Sequence, residues 1–182
     1  MDLKKLSTPL KISYIDFRVQ SINKGGYATL IPYKDARVDM NRLDEVCGAS
    51  NWQRDHKEVK GVVYCGIGIN VEFGDDTNER IWVWKWDAGS ESNNEAEKGQ
   101  ASDSFKRAGF NWGIGRELYD YPIIQVKLNP NEFKVENNKT KQTWELRLRE
   151  WRWKAEFAES GEVSYLGAID NHNKLRFEYK IK

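Results

Sequence analysis

The fold is decided by the stretch SDSFKRAGFNWGIGREL, residues 102–118. Phe105, Ala108 and Trp112 follow Ala101 at helical spacing, so they form one apolar stripe along a helix. The pattern predicts a helix from Asn93 to Trp112 that must lay this stripe on a second apolar surface.

A three-stranded meander upstream supplies that surface. Val62 to Phe73 alternates strictly, with Val63 and Ile67 on one face and glycines on the other. The run before it, Trp52 to Val59, is polar on both faces and reads as an edge strand; the run after it, Arg80 to Trp86, is apolar on both faces. We place a turn at residues 74–78 between the last two strands.

A second helix precedes the meander. Apolar residues recur at helical spacing from Ala36 to Cys47, and Gly48 suits the residue after a helix end. The predicted class is α+β, with a β-β-β-α core whose antiparallel meander is covered by the long helix.

The rest of the chain reads as a leader and further strands. Residues 1–26 form a leader, partly helical, that ends at a glycine turn, and Tyr27–Tyr33 is β-prone. Additional C-terminal β-strands are predicted at Ile123–Leu128, Thr143–Lys154, Val163–Ile169 and Leu175–Ile181. We expect residues 1–182 to form a single domain, with residues 27–122 as its core and 123–182 as a β-rich extension.

Composition and charge restrict the kinds of binding partner and the location that can be expected. The net charge is only +1, so a nucleic-acid site must be a local basic patch, and eight tryptophans indicate a folded chain. Cys47 and Cys65 form no CxxC pair and read as buried thiols in a reducing compartment. Without a signal peptide or membrane span, the expected location is the cytoplasm.

Common cofactor motifs are incomplete. Gly113 and Gly115 follow a helix instead of opening one, and Leu118 stands where a dinucleotide fingerprint needs its third glycine. His56 and His172 lie apart from each other and from the cysteines, so no zinc site is expected. We predict no cofactor, no metal and no catalytic residue. One alternative stays open, a Mg²⁺-dependent nuclease using Asp55, Glu58 and Lys60.

Two basic residues project from the long helix. Lys106 lies about 100° from the apolar stripe and Arg107 nearly opposite it. Periodicity alone allows a solvated face, with Asp103 pairing to Arg107, or a DNA contact. Further cations lie in the meander and the helix before it, at Arg37, Arg42, Arg54, Lys57 and Lys85. The stripe Trp82, Trp84 and Trp86 is either core or part of a binding groove.

These segments resemble the Rad52 family, in particular its phage-encoded single-strand annealing branch. The resemblance rests on Ser102–Ala108 followed by Trp112–Arg116 and Leu118-Tyr119, and on Leu43–Val46 with Gly48, Asn51 and Trp52. It covers about residues 27–122 and implies the same β-β-β-α core.

The resemblance also implies a DNA site. It assigns DNA contacts to Lys106 and Arg107 and to one arginine of the preceding helix, Arg37 or Arg42. With the nearby cations, the expected DNA-binding set is Lys106, Arg107, Arg37, Arg42, Arg54, Lys85 and Arg116. Eukaryotic members carry a further arginine where this chain has Gly109-Phe110-Asn111.

The implied function is annealing of complementary single strands in recombination and repair, without ATP and without catalysis. The expected assembly is a homo-oligomeric ring or filament, and a host or phage single-strand binding protein is a candidate partner. If the chain is phage-encoded, as the resemblance implies, the expected location is the cytoplasm of the bacterial host. Besides the nuclease, a protein that only coats single-stranded DNA remains an alternative. Residues beyond about 123 match nothing in the family; their basic residues and tryptophans form either another basic strand or an exposed face.

Overall fold

A computed structural model describes residues 1–72, 79–89 and 96–181. The turn predicted at 74–78 and the start of the long helix predicted at Asn93 lie outside these residues. The elements run in the order β1 Ile15–Ile22, β2 Tyr27–Lys34, α1 Ala36–Cys47, β3 Trp52–Val59, β4 Val62–Glu72, β5 Arg80–Ala88, α2 Ala96–Asn111, β6 Ile124–Lys127, β7 Phe133–Glu136, β8 Lys139–Gln142, β9 Arg152–Phe157, β10 Val163–Ile169 and β11 Leu175–Lys180.

The chain divides into two compact units. Unit 1 combines Met1–Leu10 with Lys34–Arg116, and unit 2 combines Lys11–Tyr33 with Glu117–Lys182. The expectation of a single domain over residues 1–182 stays a prediction.

Unit 1 is built on the antiparallel sheet β3-β4-β5. Cross-strand pairing places Ile67 of β4 between its two neighbours, and α2 covers the face that Ile67 and Ile69 share. Phe105 and Ala108 of α2 are buried against this face, whereas most of β3 is exposed, as expected of an edge strand. The predicted α+β class and β-β-β-α order are confirmed.

Helix α1 has the predicted ends. The Asp35 side chain accepts a hydrogen bond from the Arg37 backbone N–H, and Gly48 takes a positive φ of 80° directly after the helix. Leu43 and Cys47 are buried on its inner face. Cys65 is fully buried, as predicted, and this burial raises the pKa of its thiol to about 11.

Unit 2 contains two three-stranded sheets, β1-β2-β6 and β11-β10-β9, and the hairpin β7-β8. Arg176 is nearly buried and bridges Glu132 at 2.7 Å and Asp170 at 3.1 Å. The Phe17 and Trp153 rings stack at 3.6 Å. Aromatic packing and a satisfied buried ion network therefore hold this unit.

Two predictions for the segments outside the β-β-β-α core are wrong in detail. The leader contains strand β1, which was not predicted, beside short 3₁₀ turns at Leu3–Ser7 and Ile12–Tyr14. The segment Thr143–Lys154 is not one strand: a 3₁₀ turn occupies Leu148–Glu150 and only its last residues enter β9.

Candidate nucleic-acid interface

Helix α2 presents its two adjacent cations in different directions. On its inner side, Trp112 donates from Nε1 to the Ile67 carbonyl at 2.9 Å, which fixes the helix on the sheet. Lys106 is half-buried and Arg107 is exposed. The apolar stripe therefore packs α2 onto the sheet, while the charged groups of Lys106 and Arg107 stay accessible.

Arg107 pairs with β5 beside it. Its Nε lies 3.3 Å from Asp87 Oδ1, and the two side chains are 44% and 26% exposed. An ion pair this open contributes about 0–1 kcal/mol. The predicted partner, Asp103, is not the carboxylate in this ion pair. Because the pair with Asp87 is weak, another anion can compete for the guanidinium.

The charge of Lys106 acts on the beginning of α1, where it contributes to lowering the pKa of Asp35. Asp35 accepts hydrogen bonds from Arg37 Nε at 2.9 Å and Nη2 at 3.2 Å, and these bonds lower the pKa of the Asp35 carboxyl, with a smaller contribution from Lys106. The Arg37 side chain is 82% exposed. Arg37 and Arg107 are exposed and Lys106 is half-buried; these three cations of α1 and α2 are called here the basic cluster, and Asp35 and Asp87 are the acidic partners of its two arginines.

A buried ion pair lies under the basic cluster. Lys34 Nζ donates to Asp39 Oδ1 and to the Ile114 carbonyl at 2.7 Å, and sits 4.2 Å from the centre of the Phe110 ring. Both charged side chains are essentially inaccessible to water. Burial raises the pKa of Asp39 to about 6, since it outweighs the attraction of Lys34. Within unit 1, this pair ties Lys34, α1 and the end of α2 together.

Gly109 makes this arrangement possible. A Cβ atom at this position would lie 2.1 Å from Asp39 Oδ1, which is closer than atoms can pack. It would also lie 3.3 Å from Lys34 Nζ, which is a tight contact. Gly109 and the two residues after it thus have structural roles: Gly109 admits Asp39, Phe110 covers Lys34, and Asn111 donates to the Trp86 carbonyl at 3.0 Å. Sequence reasoning missed Lys34 and Asp39, although a lysine at the end of an apolar strand is a usable signal.

The glycines after α2 form a filled turn. Gly113 and Gly115 have φ angles of 97° and 72°, which side-chain-bearing residues rarely adopt. Cβ atoms there would lie 2.9 Å from Ser7 Cβ and from Lys34 Cδ, respectively. The space that a phosphate loop leaves open is occupied by the chain itself.

Three other predicted DNA contacts have internal partners. Arg42 Nη1 donates to the carbonyls of Lys5 and Thr8 at 2.8 and 2.9 Å. Lys85 and Arg116 both donate to the Asn111 carbonyl, at 2.9 and 3.2 Å, and so cap the end of α2. Their assignment to DNA stays a prediction; of the two α1 arginines, the structure leaves Arg37 more accessible.

Arg54 is exposed on β3, and its guanidinium lies 5.4 Å from the centre of the Phe105 ring, on the side of the sheet that α2 covers. It flanks α2 from the strand opposite β5.

The tryptophan stripe faces the other way. Cross-strand pairing puts Trp84 and Trp86 opposite Gly68 and Gly66, on the face that α2 does not cover. Their rings stack at 5.6 Å, and a Cβ at Gly66 would come within 2.5 Å of the Trp86 indole. Trp82 is 41% exposed. Within unit 1, the basic cluster and the stripe therefore lie on opposite sides of the sheet and do not share a groove.

The residues of the nuclease alternative do not converge. Asp55 and Glu58 lie three apart on β3, so they point to opposite faces, and Lys60 belongs to the following turn with a φ of 53°. Across the described residues, no group of three or more His, Cys, Asp or Glu side chains is placed to hold a metal ion. No described helix combines the length and apolarity needed to cross a membrane.

Comparison with known proteins gives two findings. The chain matches the Rad52/22 family of double-strand break repair proteins over residues 3–140. It is also 30% identical over 120 residues to the single-stranded DNA-binding protein DdrA of Deinococcus radiodurans, an alignment that covers 65% of this chain and 55% of that protein. The chain thus spans about half the length of this curated relative. The match begins earlier and ends later than the predicted 27–122, and the described geometry of α1, the meander and α2 lies within it. The chain therefore belongs to the Rad52/22 family.

Proposed function

We propose that this chain binds single-stranded DNA at the basic cluster and anneals complementary strands in recombination and repair. The observation that carries the proposal is the accessible group Arg37, Lys106 and Arg107 at the junction of α1 and α2, in a chain of this family. The similarity to a relative named a single-stranded DNA-binding protein supports the same partner.

Phosphate binding here works by exchange of anions. Arg37 and Arg107 are already held by Asp35 and Asp87 in exposed ion pairs. Such pairs are weak, whereas a DNA phosphate offers the guanidinium bidentate contacts and releases condensed counterions. The carboxylates keep each arginine extended toward the strand, and the phosphates then replace them.

Annealing requires that the bases stay available. Guanidinium and ammonium groups contact phosphates and carry no direct sequence information. A strand held only by its backbone leaves its bases exposed for pairing with a complementary strand. The basic cluster consists of positively charged side chains, which suit the binding of phosphates.

We infer that annealing needs no ATP and that the protein acts as a homo-oligomer, a ring or a filament, in the cytoplasm. Lys34 and Ser7 fill the turn at Gly113 and Gly115, so this turn offers no space for the phosphates of a nucleoside triphosphate. This supports annealing without ATP. Strands β3 and β5 form the two edges of the unit 1 sheet, and a sheet edge can pair with another copy of the chain. A single-strand binding protein of the host or phage remains the candidate heterologous partner.

One mixing experiment separates the candidate functions. Two complementary oligonucleotides carrying a fluorescence donor and acceptor are mixed without ATP, with and without the protein. Faster energy transfer with full-length strands supports annealing, and tight binding without acceleration indicates a protein that only coats DNA. Mg²⁺-dependent cleavage lost in Glu58→Ala would support the nuclease instead. Mass measurement with and without DNA reports the oligomeric state.

A further inference from the structure

Unit 2 contains an open cleft lined by arginines and aromatic rings. Its volume is about 500 Å³, within the range of about 300–1,000 Å³ typical of ligand sites. The lining residues that matter are Arg18, Tyr33, Trp144, Arg147, Arg149 and Glu150. All of these side chains belong to unit 2, and the segment from Trp144 to Glu150 lies beyond the family match, which ends at residue 140.

Trp144 is the most unusual of these side chains. Trp144 is 76% exposed, although a tryptophan normally buries most of its surface. The surrounding loop is nevertheless held in place: Thr143 Oγ1 donates to the Asn131 carbonyl at 2.5 Å, and Leu146 is buried. An indole presented to solvent from an anchored loop is available for stacking.

The cleft is also basic. Three arginines face a single glutamate, which gives a local side-chain charge of +2. Glu150 is shared between Arg147, at 3.4 Å, and the side-chain amide of Asn171, at 3.0 Å. Within the part of the chain that the structure describes, Arg149 is exposed and makes no ion pair or side-chain hydrogen bond. At least one guanidinium is therefore uncommitted.

Each ring has a guanidinium next to it. The Arg18 guanidinium lies 5.5 Å from the centre of the Tyr33 ring, and that of Arg147 lies 5.8 Å from the centre of the Trp144 ring. A flat π-face beside a phosphate-binding cation is the combination that holds an unpaired nucleotide, base on the ring and phosphate on the arginine. An acidic peptide would use the cations but would leave the aromatic faces without a role.

We propose that this cleft, called here the nucleotide cleft, binds an unpaired nucleotide and gives single-stranded DNA a second contact that includes its bases. The choice of nucleic acid as the ligand rests on the proposed function. In contrast to the basic cluster, the nucleotide cleft adds a stacking contribution that does not depend on salt.

The test compares full-length variants for binding to a fluorescent oligothymidylate across a salt series. Trp144→Ala should weaken binding about 5-fold to 100-fold, the range measured for loss of one base–aromatic stack, with an unchanged salt slope. Trp144→Phe, the matched control, should restore most of the affinity. Arg149→Ala should lower the salt slope by about 0.7, as expected for one lost phosphate contact on a single strand.

Free thymidine monophosphate separates the two sources of the ligand. Quenching of tryptophan fluorescence in the wild type but not in Trp144→Phe or Trp144→Ala would mean that free nucleotides bind; quenching only by the oligonucleotide would mean that the strand is needed. Either result supports the nucleotide cleft.

Three outcomes overturn it: wild-type affinity in Trp144→Ala, equal competition by polyglutamate, or a changed oligomer mass that marks the cleft as a contact between copies. If Lys106→Ala with Arg107→Ala loses binding while Trp144→Ala does not, only the nucleotide cleft fails. If the wild type binds no single-stranded DNA, the proposed function fails with it.

Discussion

Replacing Lys106 and Arg107 together by alanine tests the basic cluster directly. Each phosphate contact on a single strand contributes about 0.7 to the slope of log K against log salt concentration. If both side chains contact phosphates, the slope becomes shallower by about 1.4, and binding at 0.1 M salt weakens about 25-fold. Between 50 and 200 mM salt, the wild type then loses about sevenfold more affinity than the variant.

The fold should survive this change. Both side chains project away from the buried face of α2, and the Arg107–Asp87 pair lost with the substitution is largely exposed. The free energy of unfolding should fall by no more than about 1 kcal/mol. Thermal unfolding followed by circular dichroism checks this, while fluorescence anisotropy over a salt series measures binding and the oligonucleotide mixing assay measures annealing.

The control removes the same charge elsewhere in unit 1. Lys4 and Lys5 are adjacent and exposed on the 3₁₀ turn Leu3–Ser7. Their double alanine variant should keep the wild-type slope. Equal slopes for the wild type and the Lys106/Arg107 variant, with the fold intact, would refute the assignment, and an equal loss in both variants would show that only net charge matters.

Three further substitutions probe the arrangement behind the basic cluster. Arg37→Ala should weaken DNA binding without changing the melting temperature, whereas Arg42→Ala should cost about 1–3 kcal/mol of stability through two lost hydrogen bonds; equal melting temperatures would contradict this. Gly109→Ala should destabilise by at least about 2 kcal/mol, because the overlap with Asp39 exceeds the helix-propensity gain of about 1 kcal/mol; denaturant unfolding measures the difference. The pKa of Asp39 is about 6 in the folded chain against 3.8 normally, so the folded state holds this proton more tightly. Protonated Asp39 therefore adds up to about 3 kcal/mol to the free energy of unfolding below about pH 4, and this contribution is lost as the pH rises through 6. Unfolding at pH 4, 5, 6 and 7 should show this loss in the wild type but not in Asp39→Asn, and parallel curves would contradict it.

The elements of unit 1 were predictable because local signals and packing agree there. Asp35 and Gly48 mark the ends of α1, and the alternation along β4 matches the face that α2 covers. In unit 2 the signals conflict. The run Thr143–Lys154 alternates like a strand, yet Leu146 is buried within an irregular loop and only the end of the run pairs in β9.

Strand β1 was predictable and was missed. Ile15, Phe17 and Val19 alternate with polar residues, and the first two are buried. The hairpin β7-β8 also had its signal, since Asn137 and Asn138 both take the positive φ angles that a two-residue hairpin turn requires.

The candidate site was predictable only as separate residues. Helical periodicity shows that Lys106 and Arg107 point outward, but it cannot show that Asp87 of β5 pairs with Arg107 or that the charge of Lys106 acts on Asp35 at the start of α1. Those neighbours depend on how α1 crosses α2. Pairing register likewise decides that the tryptophan stripe faces away from the basic cluster.

Gly109 links the fold to the site. A side chain of any size there would displace Asp39, and with it the first turns of α1, which carry Arg37. The glycine costs α2 some helix propensity. In exchange, α1 and α2 approach each other closely at Asp39 and Gly109. The basic cluster draws its cations from both helices, and the buried Lys34–Asp39 pair lies at this close approach.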